Sequence, residues 1–375
     1  MKAENIQDIY ELSPAQQGIL FHSLYSPDSG VYFVQRSFLL HGHLNVVAFE
    51  CAWQQVVARH TALRTSFYWE KLDKPLQVVH QEVKFPLRQY DWRELTSAEQ
   101  QKRLEAFLES DRHEGFELSQ PPLIRLSLIQ LADDSYQIVL SQHHLILDGW
   151  SSSLVLKEFV ELYEALSHNQ DKFLAPSRSY GEYIGWLQQQ DLSKAEEFWR
   201  RVLSGIKAPT PLIKLNFDKF SSQEERYEDQ FLKLSTETTE ALKSLAQQHQ
   251  LTLNTLVQAA WAVLLSRYSG EEEVVYGNIV SGRPVDLVGV ESMVGMFINT
   301  LPVRVKVDAE QSLVSWLKQL QAQLVEMRQY EYSPLAEVQG WSEIPRGLPL
   351  FESIVVFENY PVDQVLQKQK EDLEI

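Results

Sequence analysis

The 375 residues carry 34 Lys and Arg against 51 Asp and Glu, a formal net charge of −17 with no basic block, which excludes phosphate binding by clustered cations and leaves no nucleic-acid partner to expect. At 44% hydrophobic and 23% charged residues, the composition is that of a globular chain of roughly two to three domain-sized units and not of a disordered one. One cysteine, Cys51, excludes an intrachain disulfide and a multi-cysteine zinc site and fits a reducing, cytoplasmic setting.

The opening MKAENIQDIYELSP lacks the apolar stretch of a secretory signal. No window approaches the ~20 apolar residues of a membrane span, so no membrane role is expected. His41-Gly-His43 is a weak metal-like pair, better read as a solvated loop before a helix. Val46, Phe49, Trp53, Val56 and Val57 then recur at three- and four-residue steps, predicting a helix over 45–60 that feeds a strand at Thr65–Trp69. Cys51 within it, flanked by Ala52 and Trp53, is expected to be a small core residue and not a nucleophile.

Thr96 with Glu99 makes a capping-box pattern before a helix reaching about Ser110. Leu123–Leu131 and Ser135–Gln142 read as a hairpin across Asp133-Asp134. Its second strand runs into His143-His144-Leu-Ile-Leu-Asp148-Gly149, after which Ser151–Ser153 are expected to cap an amphipathic helix containing Leu154, Phe159, Leu162 and Leu166. Residues 171–178, with Pro176 and no clear period, form the expected linker between halves at 1–170 and 179–375. Short helices follow at Tyr180–Gln190 and Ser193–Leu203. Leu253–Arg267 is expected as a helix with Leu256, Ala260, Val263 and Leu264 on one side, and its apolar run Ala259–Leu265 as the centre of a buried helix. Strands are expected at Val274–Val280, Leu301–Val307 and Ser353–Glu358, with a helix at Leu313–Gln329. Helices and strands alternating in two similar halves indicate an α/β architecture with a cleft between the halves as the natural ligand site.

The densest polar feature is the HHxxxDG pattern at His143–Gly149, in a chain with only 10 His. It would arise by chance roughly five times in ten thousand sequences of this composition. If the strand continues to this point, neighbouring side chains face opposite ways, so one histidine is expected to be catalytic and the other structural. An imidazole at a cleft takes or delivers a proton near neutral pH, which is the functional reading of His144. Asp148 can fold back on its own loop and pair with a cation, and Gly149 permits a close approach that a Cβ would block. The competing reading is a satisfied polar turn. A metal reading, from the i, i+4 spacing of His144 and Asp148, is weaker, because Gly149 and the turn signals disfavour a helix there and no third ligand lies nearby. Without GxxxxGK[ST], GxGxxG or GxSxG motifs, nucleotide hydrolysis, dinucleotide redox chemistry and serine-hydrolase chemistry lose their usual signatures.

HHLILDGW at His143–Trp150 resembles the HHxxxDG signature of condensation domains of nonribosomal peptide synthetases, relatives of chloramphenicol acetyltransferase. Further segments resemble that family in order: LSPAQQGILFH (Leu12–His22), ARHTALRTSF (Ala58–Phe67), SYGEYIGWL (Ser179–Leu187), YGNIVSGRPVD (Tyr276–Asp286) and VGMFINTLPVRV (Val294–Val305). The resemblance implies two chloramphenicol-acetyltransferase-like α/β sandwich halves forming a V with a central cleft. It further implies amide formation by attack of a carrier-bound aminoacyl amine on a carrier-bound acyl or peptidyl thioester. There His144 is the residue nearest the reacting amine, as base or as positioning group, and His143 is structural. Asp148 pairs with Arg283, Arg64 being the runner-up, and Gly149 leaves room for the pantetheine arm. Asn299 lines the cleft or caps a loop; Trp150 and Ser151 receive no role.

No bound cofactor or metal is implied, only substrates tethered by phosphopantetheine to an upstream donor and a downstream acceptor carrier protein, with an adenylation domain as neighbour. LFH at Phe21 and INTLPVRV weakly resemble the subtype whose donor ends in a D-residue. Two departures stand out. PRGLPLF (Pro345–Phe351) keeps only part of a familiar motif, and family members continue beyond FENYPVD (Phe357–Asp363) with further strands and a helix, so the second half is expected to be incomplete. The alternatives are a related acyltransferase or epimerisation domain, and a truncated, non-catalytic module that docks carriers.

Overall fold

In the computed structural model, residues 5–212, 228–359 and 373–374 are described. Met1–Glu4 of the opening segment and Tyr360–Asp363 of FENYPVD lie outside the described residues. The chain runs β1 (Ile6–Glu11), α1 (Pro14–Tyr25), β2 (Phe33–Gly42), α2 (Val46–Arg59), β3 (Thr65–Tyr68), β4 (Leu76–His80), β5 (Leu87–Asp91) and α3 (Ser97–Glu114). It continues through β6 (Ile124–Ala132), β7 (Ser135–His143), α4 (Gly149–Ser167), α5 (Tyr180–Gln188), α6 (Leu192–Leu203), α7 (Thr236–His249) and α8 (Leu253–Ser269). The remaining elements are β8 (Glu273–Val280), β9 (Asn299–Lys306), α9 (Leu313–Met327), α10 (Leu335–Trp341), β10 (Ile354–Val355) and β11 (Leu373–Glu374).

Two compact units result. The first joins Met1–Gln190 to Arg283–Ile298 and Asn359–Ile375; the second joins Asp191–Gly282 to Asn299–Glu358. The units therefore divide after Gln190, not at the expected 171–178 linker, which is irregular but lies within the first unit. The cause is aromatic packing: Tyr180 and Tyr183 of α5 hold Phe297 at centroid distances of 5.2 and 4.6 Å. These side chains form a small core with Ile184, Val290 and Met293.

The first unit contains a five-stranded sheet ordered β11-β2-β7-β6-β5 and a smaller one ordered β1-β4-β3. The predicted hairpin is present, β6 pairing antiparallel with β7 from Ile124↔Gln142 to Ala132↔Ser135. Alternation along its strands divides the large sheet's two faces. Leu126, Leu128 and Leu140 join the main core with Phe49 and Trp53 of α2 and Val155 and Leu162 of α4. Ile129 and Val139 pack on the other side with Leu104, Phe107 and Leu108 of α3. Trp53 stacks between Phe85 and Phe159 at 5.0 and 4.6 Å, a large apolar burial at the junction of α2 and α4.

Cys51 is exposed, contrary to expectation. The buried stripe of α2 is Ala48, Phe49, Ala52, Trp53, Val56 and Val57, and position 51 falls on the opposite side of that three- and four-residue pattern.

In the second unit, α6, α8, α9 and α10 pack around a sheet ordered β10-β8-β9. The expected strand at 353–358 shrinks to Ile354 and Val355, which alone pair with Gly277 and Asn278. The predicted inner side of α8 is also corrected. Ala260, Val263 and Leu264 are exposed and Leu256 half-buried, while Thr255, Gln258, Ala259, Ala262 and Leu265 face inward. The helix is apolar nearly all round, so periodicity selects no single face. A buried amide pair, Gln258 to Asn278, selects the side that meets β8.

Candidate functional site

β7 ends at His143, and residues 144–146 form a turn leading into α4. The backbone of this turn is held at successive positions. His143 N–H donates to Leu123 O and His144 N–H to Tyr32 O, both at 2.9 Å, and Ile146 N–H donates to His143 O at 3.3 Å. Leu145 N–H donates to Nδ1 of His143 at 3.2 Å. That bond defines His143: Nδ1 is an acceptor, leaving Nε2 as the donor toward Ser23 Oγ at 3.5 Å. Burial, with a smaller contribution from the neighbouring His144, lowers the pKa of His143 to about 4, in keeping with a neutral ring inside the fold.

Asp148 is the N-cap of α4, in extended conformation at φ −91° and ψ 178°. Its Oδ1 accepts the N–H of Ser151 at 2.7 Å, so the helix starts at Gly149 and Ser151 lies inside its first turn instead of capping it. Oδ2 accepts the N–H of Phe297 at 3.0 Å. The guanidinium of Arg283 completes the surroundings, with Nη2 at 3.6 Å from Oδ1. Arg283 also donates to Ser151 Oγ at 2.9 Å and to the carbonyls of Met293 at 3.0 Å and Val290, and lies 3.9 Å above the ring of Phe297. Burial pulls its pKa down, opposed by the attraction of Asp148.

Ser151, given no role from sequence, is a junction of this frame. Its Oγ donates to Gly295 O at 2.8 Å while accepting from Gly295 N at 3.0 Å. Gly295 also accepts from Asp148 N–H at 3.2 Å. A Cβ on Gly295 would lie 2.1 Å from Cδ2 of Tyr180, so only glycine lets this backbone approach. Trp150 likewise has a partner, donating Nε1–H to Glu291 O at 2.9 Å. The Asp-x-x-Ser spacing after a strand was the available signal for the cap. The remote partners at 283, 295 and 297 carried none.

Two other expected residues hold backbone. Arg64 donates to the carbonyls of Val57 at 3.2 Å, Gln81 at 3.1 Å and His80, and to Gln7 Oε1 at 2.9 Å, among residues of α2, β1 and β4, so Arg283 and not Arg64 is beside Asp148. Asn299, in the second unit, donates its amide to Glu331 O at 2.9 Å and Ser333 O at 2.7 Å, the loop-holding arrangement. The carboxylate of Glu331, whose pKa is raised by burial, accepts the N–H of Gly282 at 3.2 Å. Gly282 and Asn299 flank the inserted Arg283–Ile298 segment, and both are thus fastened to one turn at 331–333.

His144 differs from its neighbours. It is half-buried, and its Nδ1 is enclosed with no hydrogen-bond partner among the described residues. Gly149, the first residue of α4, is half-exposed. Among the described residues no three His, Cys, Asp or Glu side chains converge as a metal site requires, and no helix is long and apolar enough to cross a membrane.

A family profile described as Condensation domain matches residues 6–374. One of the linear gramicidin synthase proteins of Brevibacillus parabrevis is 50% identical over 367 residues, which are 98% of this chain and 7% of that protein. Bacitracin synthase 3 of Bacillus licheniformis is 36% identical over 363 residues, 97% of this chain and 6% of that protein. The chain thus spans a small part of the curated relatives it matches. Among solved structures, the starter condensation domain of rhizomide synthetase aligns with a TM-score of 0.74 at 22% identity, covering 93% of this chain and 78% of that one. The X-domain from teicoplanin biosynthesis aligns with a TM-score of 0.75 at 23% identity, covering 94% and 78%. The mixed α/β architecture is that of these domains, the chloramphenicol-acetyltransferase-like fold. With its motifs, its fold and a family match over almost its whole length, the chain belongs to the condensation-domain family of nonribosomal peptide synthetases.

Proposed function

We propose that this domain forms an amide bond between two carrier-tethered substrates. The nitrogen lone pair of an aminoacyl group attacks the carbonyl carbon of an acyl or peptidyl thioester. The tetrahedral intermediate collapses with cleavage of the C–S bond, the donor carrier's thiol leaves, and the proton lost by nitrogen ends on sulfur. The substrates arrive as phosphopantetheine thioesters on an upstream donor and a downstream acceptor carrier protein, with an adenylation domain as neighbour, in a reducing, cytoplasmic setting.

One observation carries the assignment of roles: within HHxxxDG, the side chains of His143 and Asp148 are engaged in framing the turn, whereas Nδ1 of His144 has no partner among the described residues. His144 is the residue for the reacting centre, His143 and the Asp148–Arg283 pair are its support, and Gly149 gives the pantetheine arm access. No described carboxylate meets Nδ1 of His144, and both oxygens of Asp148 accept main-chain N–H groups, so a His–Asp relay has no geometric support. This favours alignment of the amine and of the developing tetrahedral centre over proton abstraction. An amine with pKa near ~8 is already partly neutral at pH 7, and orientation of two tethered reactants supplies more than the ~10²–10⁴-fold typical of acid–base help. The test is intact-protein mass spectrometry of the acceptor carrier after mixing with a donor-loaded carrier. The expected result is a mass gain equal to the donor acyl group that depends on His144. A folded wild-type domain giving no gain across several donor and acceptor pairs contradicts the proposal.

A further inference from the structure

Gln16 and Gln77 are both almost completely buried, and they face one another. Gln77 Nε2 donates to Gln16 Oε1 at 3.0 Å, and Gln16 Nε2 donates back to Gln77 Oε1 at 3.3 Å, closing a cyclic amide pair between α1 and β4. The second N–H of Gln77 goes to Glu11 O at 3.0 Å. The second N–H of Gln16 goes to Leu145 O at 2.9 Å, the carbonyl of the residue that follows His144. Gln16 Oε1 also accepts the N–H of Ser13 at 3.0 Å, as part of the capping box of α1. Every amide hydrogen of the pair is therefore committed. Reversing the Gln16 amide would set an oxygen against the Leu145 carbonyl, so the network admits one orientation.

Leu145 is consequently held from both ends: its N–H by His143 and its C=O by Gln16. The His144–Leu145 peptide is thus held by His143 and the next peptide, Leu145–Ile146, by Gln16, so the turn that carries the Cα–Cβ bond of His144 is tied down on its C-terminal side. We infer that Gln16, oriented by Gln77, is a positioning residue for His144, acting through the Leu145 carbonyl. The inference rests on His144 standing at the reacting centre, as proposed above.

Gln16→Met keeps volume and removes the donor. It is expected to lower kcat by roughly 10- to 100-fold, the scale of an approximately 1 Å misplacement, with KM for the loaded carriers changed less than about threefold. Ser141→Ala, which removes a buried hydrogen bond to Asp111 on the large sheet, is the control for destabilisation alone and should leave kcat near wild type. Gln16→Glu supplies the readout that a structural role would not move. When protonated, its carboxyl can still donate to the Leu145 carbonyl; when ionised, it presents only oxygen. The ratio of its kcat to that of wild type should therefore fall as pH rises, while the ratio for Gln16→Met stays flat. A kcat loss no greater than that of Ser141→Ala, or a flat ratio for Gln16→Glu, overturns the inference. Should folded wild type make no amide, the reading of the function fails separately, and ¹⁵N-histidine spectra decide this one. The ring signals of His144, assigned by their loss in His144→Ala, should shift in Gln16→Met while those of His60 stay in place; an unchanged His144 contradicts it.

Discussion

The carboxylate of Asp148 accepts the main-chain N–H of Phe297, 149 positions further along the chain, at 3.0 Å. Because Oδ1 also takes the Ser151 N–H, both oxygens hold backbone before the guanidinium of Arg283 is considered. Asp148→Ala removes the cap of α4, the tie to the 283–298 segment and the counter-charge of Arg283 together. It is expected to lower stability by about 3–5 kcal/mol, the range for breaking a buried pair by removing one partner. Arg283→Ala should lower it by less, since Asp148 keeps two N–H donors. Chemical denaturation with both variants checks the order, and equal midpoints for wild type and variants would remove the structural role of the pair.

The neutral state of His143 gives stability a definite pH dependence. Its pKa in the fold is about 4, below the ordinary 6.5, so the unfolded chain binds more protons between these values. The contribution is complete above about pH 6.5 and is lost as pH falls toward 4, by up to about 3 kcal/mol. His143→Asn, which offers an amide oxygen where Nδ1 accepts the Leu145 N–H, should flatten the curve in that window. Melting temperatures measured from pH 4 to 7 test it; parallel curves for the two proteins contradict it.

Ser151→Ala leaves the N–H of Gly295 and one contact of Arg283 without their hydroxyl in a closed setting. A loss of about 1–3 kcal/mol is expected, together with slower amide transfer, because the same hydroxyl holds the segment that reaches Asp148. Wild-type thermal stability in this variant would show the hydroxyl to be dispensable.

Two glycines provide a paired test of packing. At Gly295 a methyl group would overlap Tyr180, whose ring is set edge-on to Phe297 at 5.2 Å and whose hydroxyl donates to Met296 O, so the ring has no easy retreat. Gly295→Ala is expected to destabilise by about 3 kcal/mol or to prevent folding. At Gly340, near the end of α10, nothing lies within 4 Å of the added Cβ. Gly340→Ala should be neutral or stabilising by about 0.5–1 kcal/mol. Similar melting shifts for both would invalidate the steric explanation.

What could be read from sequence followed the range of the interaction. The helix at 46–59, the capping box of Thr96 and Glu99, and the β6–β7 hairpin depend on neighbours a few residues away, and local pattern described them well. HHxxxDG was visible as a cluster for the same reason. Ser151, Gln16 and Gln77 were not, because their partners lie 144, 129 and 61 positions away and a single buried amide or hydroxyl leaves no periodic trace. Two helices show the opposite failure: Cys51 was judged by residue identity although the period of α2 turns position 51 outward, and in α8, apolar nearly all round, identity does not say which side meets the sheet. The break after Gln190 escaped detection because irregular backbone at 171–178 marks a loop, whereas unit membership depends on where Tyr180 and Tyr183 find Phe297.

If His144 stands at the reacting centre of amide formation while the rest of HHxxxDG supports it, removing its imidazole should stop the chemistry and spare the fold. The decisive comparison is single-turnover amide transfer between loaded carriers for wild type and His144→Ala at matched folded fraction, each first shown to melt cooperatively. The expected result is acyl transfer to the acceptor carrier by wild type and a loss of at least about 100-fold in the variant with its melting temperature preserved. Transfer at an undiminished rate by folded His144→Ala would contradict the proposed role.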